Sequence, residues 1–139
     1  IRLAKGFELA GTLAIELFIT KDNKVIVNEL APRPHNSGHY TIEACSFDQF
    51  DAHIRGIAGW PLEQPQLLKP AVMVNVLGQH VAPTRALIAD HPEWNVHDYC
   101  KAEVRHDRKM GHITVLTDDT AKTVADLEAT GCWDDLKKA

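Results

Sequence analysis

The sequence predicts an α+β fold. Strand-period alternation of apolar residues recurs in several segments, helical periodicity is confined to separate stretches between and after them, and no internal repeat suggests a wound parallel sheet. Residues 12–20, TLAIELFIT, place Leu13, Ile15, Leu17 and Ile19 on one face and Ala14, Glu16 and Phe18 on the other, as a strand requires. Lys21-Asp22-Asn23-Lys24 is a turn, and residues 25–30, VIVNEL, return as the second strand of a hairpin. The segment 31–39 cannot continue that strand, because Pro32 and Pro34 lack a ladder donor.

Ser46 and Gln49 have capping-box spacing, and Phe47, Phe50, Ile54 and Ile57 then recur on one helical face, which reads as core. That helix is expected to stop near Gly59-Trp60-Pro61. A polar connection leads to Pro70, followed by the apolar strand AVMVNVLG at 71–78, a short helix within 82–90 and the strand WNVHDYC at 94–100. Residues 103–116, EVRHDRKMGHITVL, are expected to form a strand, a basic turn and a second strand ending near Leu116. Thr117 or Asp118 is expected to cap a last helix running to about Thr130, with Val124 and Leu127 inward.

Composition narrows the function classes. With 45% hydrophobic and 24% charged residues and a formal charge of −4, the chain reads as soluble and globular and lacks the charge of a general nucleic-acid surface. No apolar run approaches the ~18 residues of a membrane span. Cys45, Cys100 and Cys132 are odd in number and far apart, so they read as reduced thiols, and no Cys-x-x-Cys suggests zinc. The histidines lack metal-site spacing. The chain starts at Ile1 rather than methionine, so a fragment or processed chain is expected.

The hairpin carries the first functional signal. A two-residue Asp22-Asn23 loop would pair Lys21 with Lys24 and set Glu16 opposite Glu29. Directly opposed side chains sit ~5 Å apart, where two carboxylates repel by roughly 3 kcal/mol at an effective dielectric of 20. A divalent cation relieves that repulsion, and two carboxylates plus substrate phosphates suit Mg²⁺. A solvated hairpin face with another loop register is the competing reading. Beyond Glu29, Pro32 and Pro34 stiffen the segment carrying Arg33 and His35, and Asn36-Ser37-Gly38 supplies turn chemistry and N–H groups suited to an anion. A second cationic cluster, Lys101, Arg105, Arg108 and Lys109, surrounds the expected basic turn; such a run is more often a solvated face.

The segments GTLAIELFIT (11–20) and VIVNELAPRPHNSGHYTIEACSFDQFDAHIRGIAGWPL (25–62) resemble the C-terminal half of an ATP-grasp domain, most closely that of the N5-carboxyaminoimidazole ribonucleotide synthetase family of purine biosynthesis. KAEVRHDRKMGH (101–112) resembles that family's small β-rich C-terminal domain. The formate-dependent glycinamide ribonucleotide transformylases would carry Asp-Thr-Gly after the Pro-Arg-Pro-His, where this chain has Asn36-Ser37-Gly38-His39. Biotin carboxylases and carbamoyl phosphate synthetases are less similar.

The resemblance implies that residues 1–69 close an ATP-grasp domain and that 70–139 form the small C-terminal domain. It implies ATP-dependent carboxylation of 5-aminoimidazole ribonucleotide by bicarbonate, through carboxyphosphate, in a cytoplasmic enzyme that is a homodimer at full length, with no nucleic-acid or membrane partner. Glu16 and Glu29 would hold Mg²⁺, and Asn28 and Glu29 would belong to the ATP site. Arg33, His35 and Asn36 would be catalytic, and Arg33, Lys101 and Arg108 would bind substrate, the last two through its 5′-phosphate. The family's adenine pocket and phosphate-covering lid are expected upstream of Ile1, so this chain alone is expected to be inactive. The rival readings are another ATP-grasp ligase and a non-catalytic module for phosphate-ligand binding or dimerisation.

Overall fold

Alternating apolar residues on either side of a polar turn build the first hairpin. The computed structural model describes residues 2–134, and the chain divides into two units between Leu67 and Leu68. In the first unit, α1 (Arg2–Gly6) precedes the antiparallel strands β1 (Ala14–Ile19) and β2 (Val25–Ala31), and a 3₁₀ turn at Asn36–Gly38 leads to α2 (Thr41–Ala44) and α3 (Gln49–Ala58).

The hairpin turn is one residue longer than expected. Thr20 N donates to Lys24 O and Lys24 N to Thr20 Oγ1, both at 2.9 Å, so Ile19 faces Val25 and the loop is residues 21–23. Asn23 closes it at φ 59, a left-handed conformation that asparagine tolerates. The extra residue is compensated by a β-bulge. Leu17 still opposes Val27, but Glu16 opposes Glu29, leaving Asn28 as the inserted residue.

The capping residue of α3 is Asp48, in place of the Ser46/Gln49 box. Asp48 Oδ1 accepts from Phe50 N at 2.7 Å and Asp51 N at 2.9 Å, so one carboxylate at the positive helix end satisfies two orphan donors. Ser46 Oγ instead accepts from Gln66 N at 3.0 Å. The helix ends where expected, at Gly59 (φ 67), whose N–H reaches the carbonyls of Arg55 and Gly56. Gly56 lets α3 cross the segment leading into β1 closely, since a Cβ there would lie 2.9 Å from Gly11 Cα. The apolar stripe is not a buried core in this unit: Phe50, Ile54 and Ile57 are 40%, 60% and 57% exposed. One hairpin and three short helices have too little apolar surface to cover it.

In the second unit, β3 (Ala71–Leu77), α4 (Val81–Leu87), β4 (Asn95–Asp98), β5 (Lys109–Leu116) and α5 (Thr120–Ala129) form an antiparallel sheet of order β3-β5-β4 with flanking helices. Val76, Ile113 and Val115 pack with Trp94, Leu127, Cys132 and Trp133 as the core, and the Trp133 ring N–H donates to Asn75 O at 3.0 Å. The expected strand at 103–105 is absent, and β5 pairs with β4 instead. Cys100, at φ 49, turns the chain off the ladder, and the Arg105 carbonyl packs onto Gly78, where any Cβ would overlap it. The cap of α5 is Asp119, whose Oδ1 accepts from Lys122 N at 2.9 Å, while Thr117 Oγ1 accepts from Asp119 N at 3.0 Å. Leu127 is buried, but Val124 is 43% exposed, contrary to expectation. The architecture is α+β.

Candidate functional site

The bulge decides which side chains meet on the hairpin. Had the turn's register run unbroken, Glu16 would oppose Asn28 and Glu29 would be offset to the other face; the inserted Asn28 returns Glu29 opposite Glu16. Glu16 Oε2 accepts from Asn28 Nδ2 at 3.1 Å, and its Oε1 lies 3.3 Å from His35 Nε2. Ser37 N–H points at His35 Nδ1 at 3.4 Å and Ser37 Oγ lies 3.0 Å from the same nitrogen, so Nδ1 is turned to the loop and Nε2 faces the Glu16 carboxylate. Glu29 is exposed and makes no side-chain hydrogen bond or ion pair among the described residues. The pair is therefore unequal: one carboxylate is already held, the other is open.

His35 stands where the proline segment meets the 3₁₀ turn, with extended backbone at φ −128 and ψ 152. Its main chain is fixed by Gln49. His35 N donates to Gln49 Oε1 at 2.8 Å, and Gln49 Nε2 donates to His35 O at 2.9 Å. Gln49 is 9% exposed, and Gly38 packs against it so tightly that a Cβ would overlap Oε1. Sequence reading placed Gln49 in a capping box and missed this contact. No periodicity links residues fourteen positions apart; the available signal was a glutamine at the start of a helix that already had an aspartate to cap it.

The other expected residues of this segment are near in sequence but separate in contact. Arg33 is exposed and its Nη1 donates to Pro34 O at 3.0 Å, while the side chain of Asn36 makes no hydrogen bond among the described residues. The structure thus joins Glu16, Asn28 and His35 directly.

In the second unit, Lys101, Arg105 and Arg108 lie on the irregular segment before β5, and Lys109 is the first residue of that strand. Lys101 Nζ donates to Lys109 O at 2.5 Å and sits 5.4 Å from the centre of the Tyr99 ring. Burial pushes the Tyr99 phenol above its usual range, and its oxygen lies 2.9 Å from Nδ1 of the buried His112. Arg105 Nε donates to Glu103 at 2.9 Å. Arg108 is exposed, and its guanidinium has no partner among the described residues. The segment is held by Gln79, whose Nε2 donates to Asp107 Oδ1 and whose Oε1 accepts from Asp107 N, both at 2.9 Å.

Among the described residues no group of three or more His, Cys, Asp or Glu side chains can hold a metal. Glu16 and Glu29, with the Asn28 amide beside them, nevertheless fit the sparse protein share of a magnesium–nucleotide site, where phosphates and water complete the octahedron.

Comparison with known proteins places both units. Residues 1–50 match the ATP-grasp domain, and residues 71–126 match the phosphoribosylaminoimidazole carboxylase C-terminal domain. The N5-carboxyaminoimidazole ribonucleotide synthase of Staphylococcus saprophyticus is 51% identical over 123 residues, covering 88% of this chain and 33% of that protein. A Staphylococcus aureus relative of the same name is 47% identical over 92% of this chain and 34% of its own length. Among solved structures, the S. aureus N5-carboxyaminoimidazole synthetase complexed with ADP aligns at a TM-score of 0.87, with 47% identity over 93% of this chain and 35% of that one. The Aspergillus clavatus N5-carboxyaminoimidazole synthase in complex with ADP and 5-aminoimidazole ribonucleotide aligns at 0.77, with 33% identity over 86% and 34%. The chain spans about a third of the length of the curated relatives it matches. By sequence and by fold, the chain belongs to the N5-carboxyaminoimidazole ribonucleotide synthase family, of which it carries the C-terminal portion.

Proposed function

We propose that the protein bearing this chain is an ATP-grasp ligase that carboxylates 5-aminoimidazole ribonucleotide with bicarbonate at the expense of ATP. In that reaction a bicarbonate oxygen attacks the γ-phosphorus and ADP leaves; the ribonucleotide amine then attacks the carboxyl carbon of carboxyphosphate, losing a proton as phosphate departs. The observation that carries the reading is the contact of Glu16 with both Asn28 and His35 beside the open carboxylate of Glu29. It is supported by relatives whose structures hold ADP and 5-aminoimidazole ribonucleotide.

Glu16 and Glu29 would hold Mg²⁺, with Asn28 and Glu29 in the ATP site. The ion would supply neutralisation of phosphate charge as the phosphoryl group transfers. His35, whose Nε2 lies 3.3 Å from Glu16, would orient that carboxylate, and with Arg33 and Asn36 it would face the bicarbonate and amine end of the site. Arg33 would offer its exposed guanidinium as an oxyanion partner. Lys101 and Arg108 would take the ribonucleotide 5′-phosphate, Arg108 being the cation with its donors uncommitted.

Residues 1–69 would close the ATP-grasp domain and 70–139 form the C-terminal domain of a cytoplasmic homodimer. No helix among the described residues is long and apolar enough to cross a membrane. The test is product analysis with the full-length enzyme. Formation of ADP, phosphate and carboxylated ribonucleotide in equal amounts, dependent on bicarbonate, is expected; phosphate-ligand binding without turnover would instead support a non-catalytic module.

A further inference from the structure

We infer that Gln49 is a positioning residue: its buried side-chain amide aims His35 and so couples ATP cleavage to carboxyl delivery. The inference rests on the proposed carboxylation and adds a residue outside the expected site. Every polar valence the amide directs toward the loop is used. Oε1 accepts from His35 N at 2.8 Å, and Nε2 donates to His35 O and to His39 Nδ1, each at 2.9 Å. The orientation is unambiguous, because a backbone N–H only donates and a carbonyl only accepts. Gln49 therefore acts on His35 as a neighbouring strand would, pairing with both of its main-chain groups.

The geometry around it leaves little slack. Gly38 presses on Oε1, Gln49 N donates to Thr41 Oγ1 at 3.1 Å, and Asp48 caps the helix that carries it. From this anchored backbone the His35 ring reaches Glu16 at 3.3 Å. Removing the amide leaves the two main-chain groups of His35 to water and frees the ring to leave that orientation. A misplacement of about 1 Å at a reacting centre costs on the order of 100-fold.

The experiment uses the full-length enzyme and measures carboxylated product formed per phosphate released, a ratio that does not depend on how much of the preparation is folded. Gln49→Ala is expected to lower the ratio about 10-fold or more. Gln49→Glu keeps the shape and the acceptor for His35 N but loses both donors, so it is expected to fall likewise even if the alanine variant does not fold. Thr12→Ala removes the 3.3 Å bond from Thr12 Oγ1 to the Gln49 carbonyl without touching the amide, and is expected to leave the ratio at the wild-type value. A wild-type ratio in Gln49→Glu, with only total activity reduced, would overturn the inference. Absence of bicarbonate-dependent product from the wild-type enzyme would instead reject the proposed function on which it stands.

Discussion

Glu29→Gln in the full-length enzyme separates a metal-binding carboxylate from a structural one. Glu29 opposes Glu16 across the hairpin and makes no side-chain bond among the described residues, so the substitution removes repulsion and breaks nothing. At ~5 Å, and with an effective dielectric between 20 and 80, the repulsion relieved is about 1–3 kcal/mol. Exposure of Glu29 selects the lower end, so without metal the variant is expected to melt at the wild-type temperature or up to about 2 °C higher. Its half-saturating Mg²⁺ concentration is expected to rise about 10-fold or more, with turnover falling sharply, because one of the two proposed charged ligands would be gone. Glu16→Gln is expected to differ by losing stability too, since its carboxylate accepts from Asn28 and faces His35. Thermal melts in EDTA and Mg²⁺ titrations of turnover read both quantities. A Glu29→Gln enzyme that melts several degrees lower in EDTA, or that keeps the wild-type Mg²⁺ dependence, would refute the reasoning.

Arg108→Ala is expected to raise the KM for the ribonucleotide by roughly 10- to 150-fold while leaving that for ATP nearly unchanged, as loss of one charge-assisted contact requires. Arg105→Ala, whose guanidinium is already engaged by Glu103, should change it less than about threefold, and equal salt-sensitive losses in both would return the cluster to a solvated face. Gly78→Ala should destabilise by about 1–3 kcal/mol in chemical unfolding, because its Cβ overlaps the Arg105 carbonyl; an unchanged midpoint would show that the segment yields freely. The Arg85 guanidinium, followed by the Cys100 N–H, holds the Asp98 carboxyl below its usual range. Arg85→Ala should therefore move the Asp98 titration, followed by NMR, upward toward the ordinary carboxylate range. The stability this pair contributes is present above the ordinary carboxylate range and is lost as pH falls through the depressed native value, so wild type and variant should converge in acid.

The hairpin shows what the sequence could and could not disclose. Alternation in TLAIELFIT and VIVNEL located both strands, and Glu16 does oppose Glu29, but through two departures that cancel: a longer turn and the Asn28 bulge. Turn length and bulges are settled by which side chain satisfies which backbone group, here Thr20 with Lys24, and periodicity carries no record of that. The same limit explains the caps, where Asp48 and Asp119 outcompeted neighbouring hydroxyls. It also explains 103–108, where a close approach to Gly78 overrode an apparent strand. In the candidate site, Glu16, Asn28 and His35 were legible because they lie within a short, proline-stiffened stretch and its hairpin partner. Gln49 was not, since its amide acts through the tertiary packing of α3 on the loop.

The proposal is tested most directly by the fate of bicarbonate oxygen. The full-length enzyme, supplied with ATP, Mg²⁺, 5-aminoimidazole ribonucleotide and ¹⁸O-labelled bicarbonate, should release phosphate carrying one ¹⁸O for each ribonucleotide carboxylated, because the bicarbonate oxygen that attacks the γ-phosphorus leaves with it. Unlabelled phosphate accompanying carboxylated product would contradict the proposed transfer, and labelled phosphate formed equally well without the ribonucleotide would contradict the assignment of its acceptor.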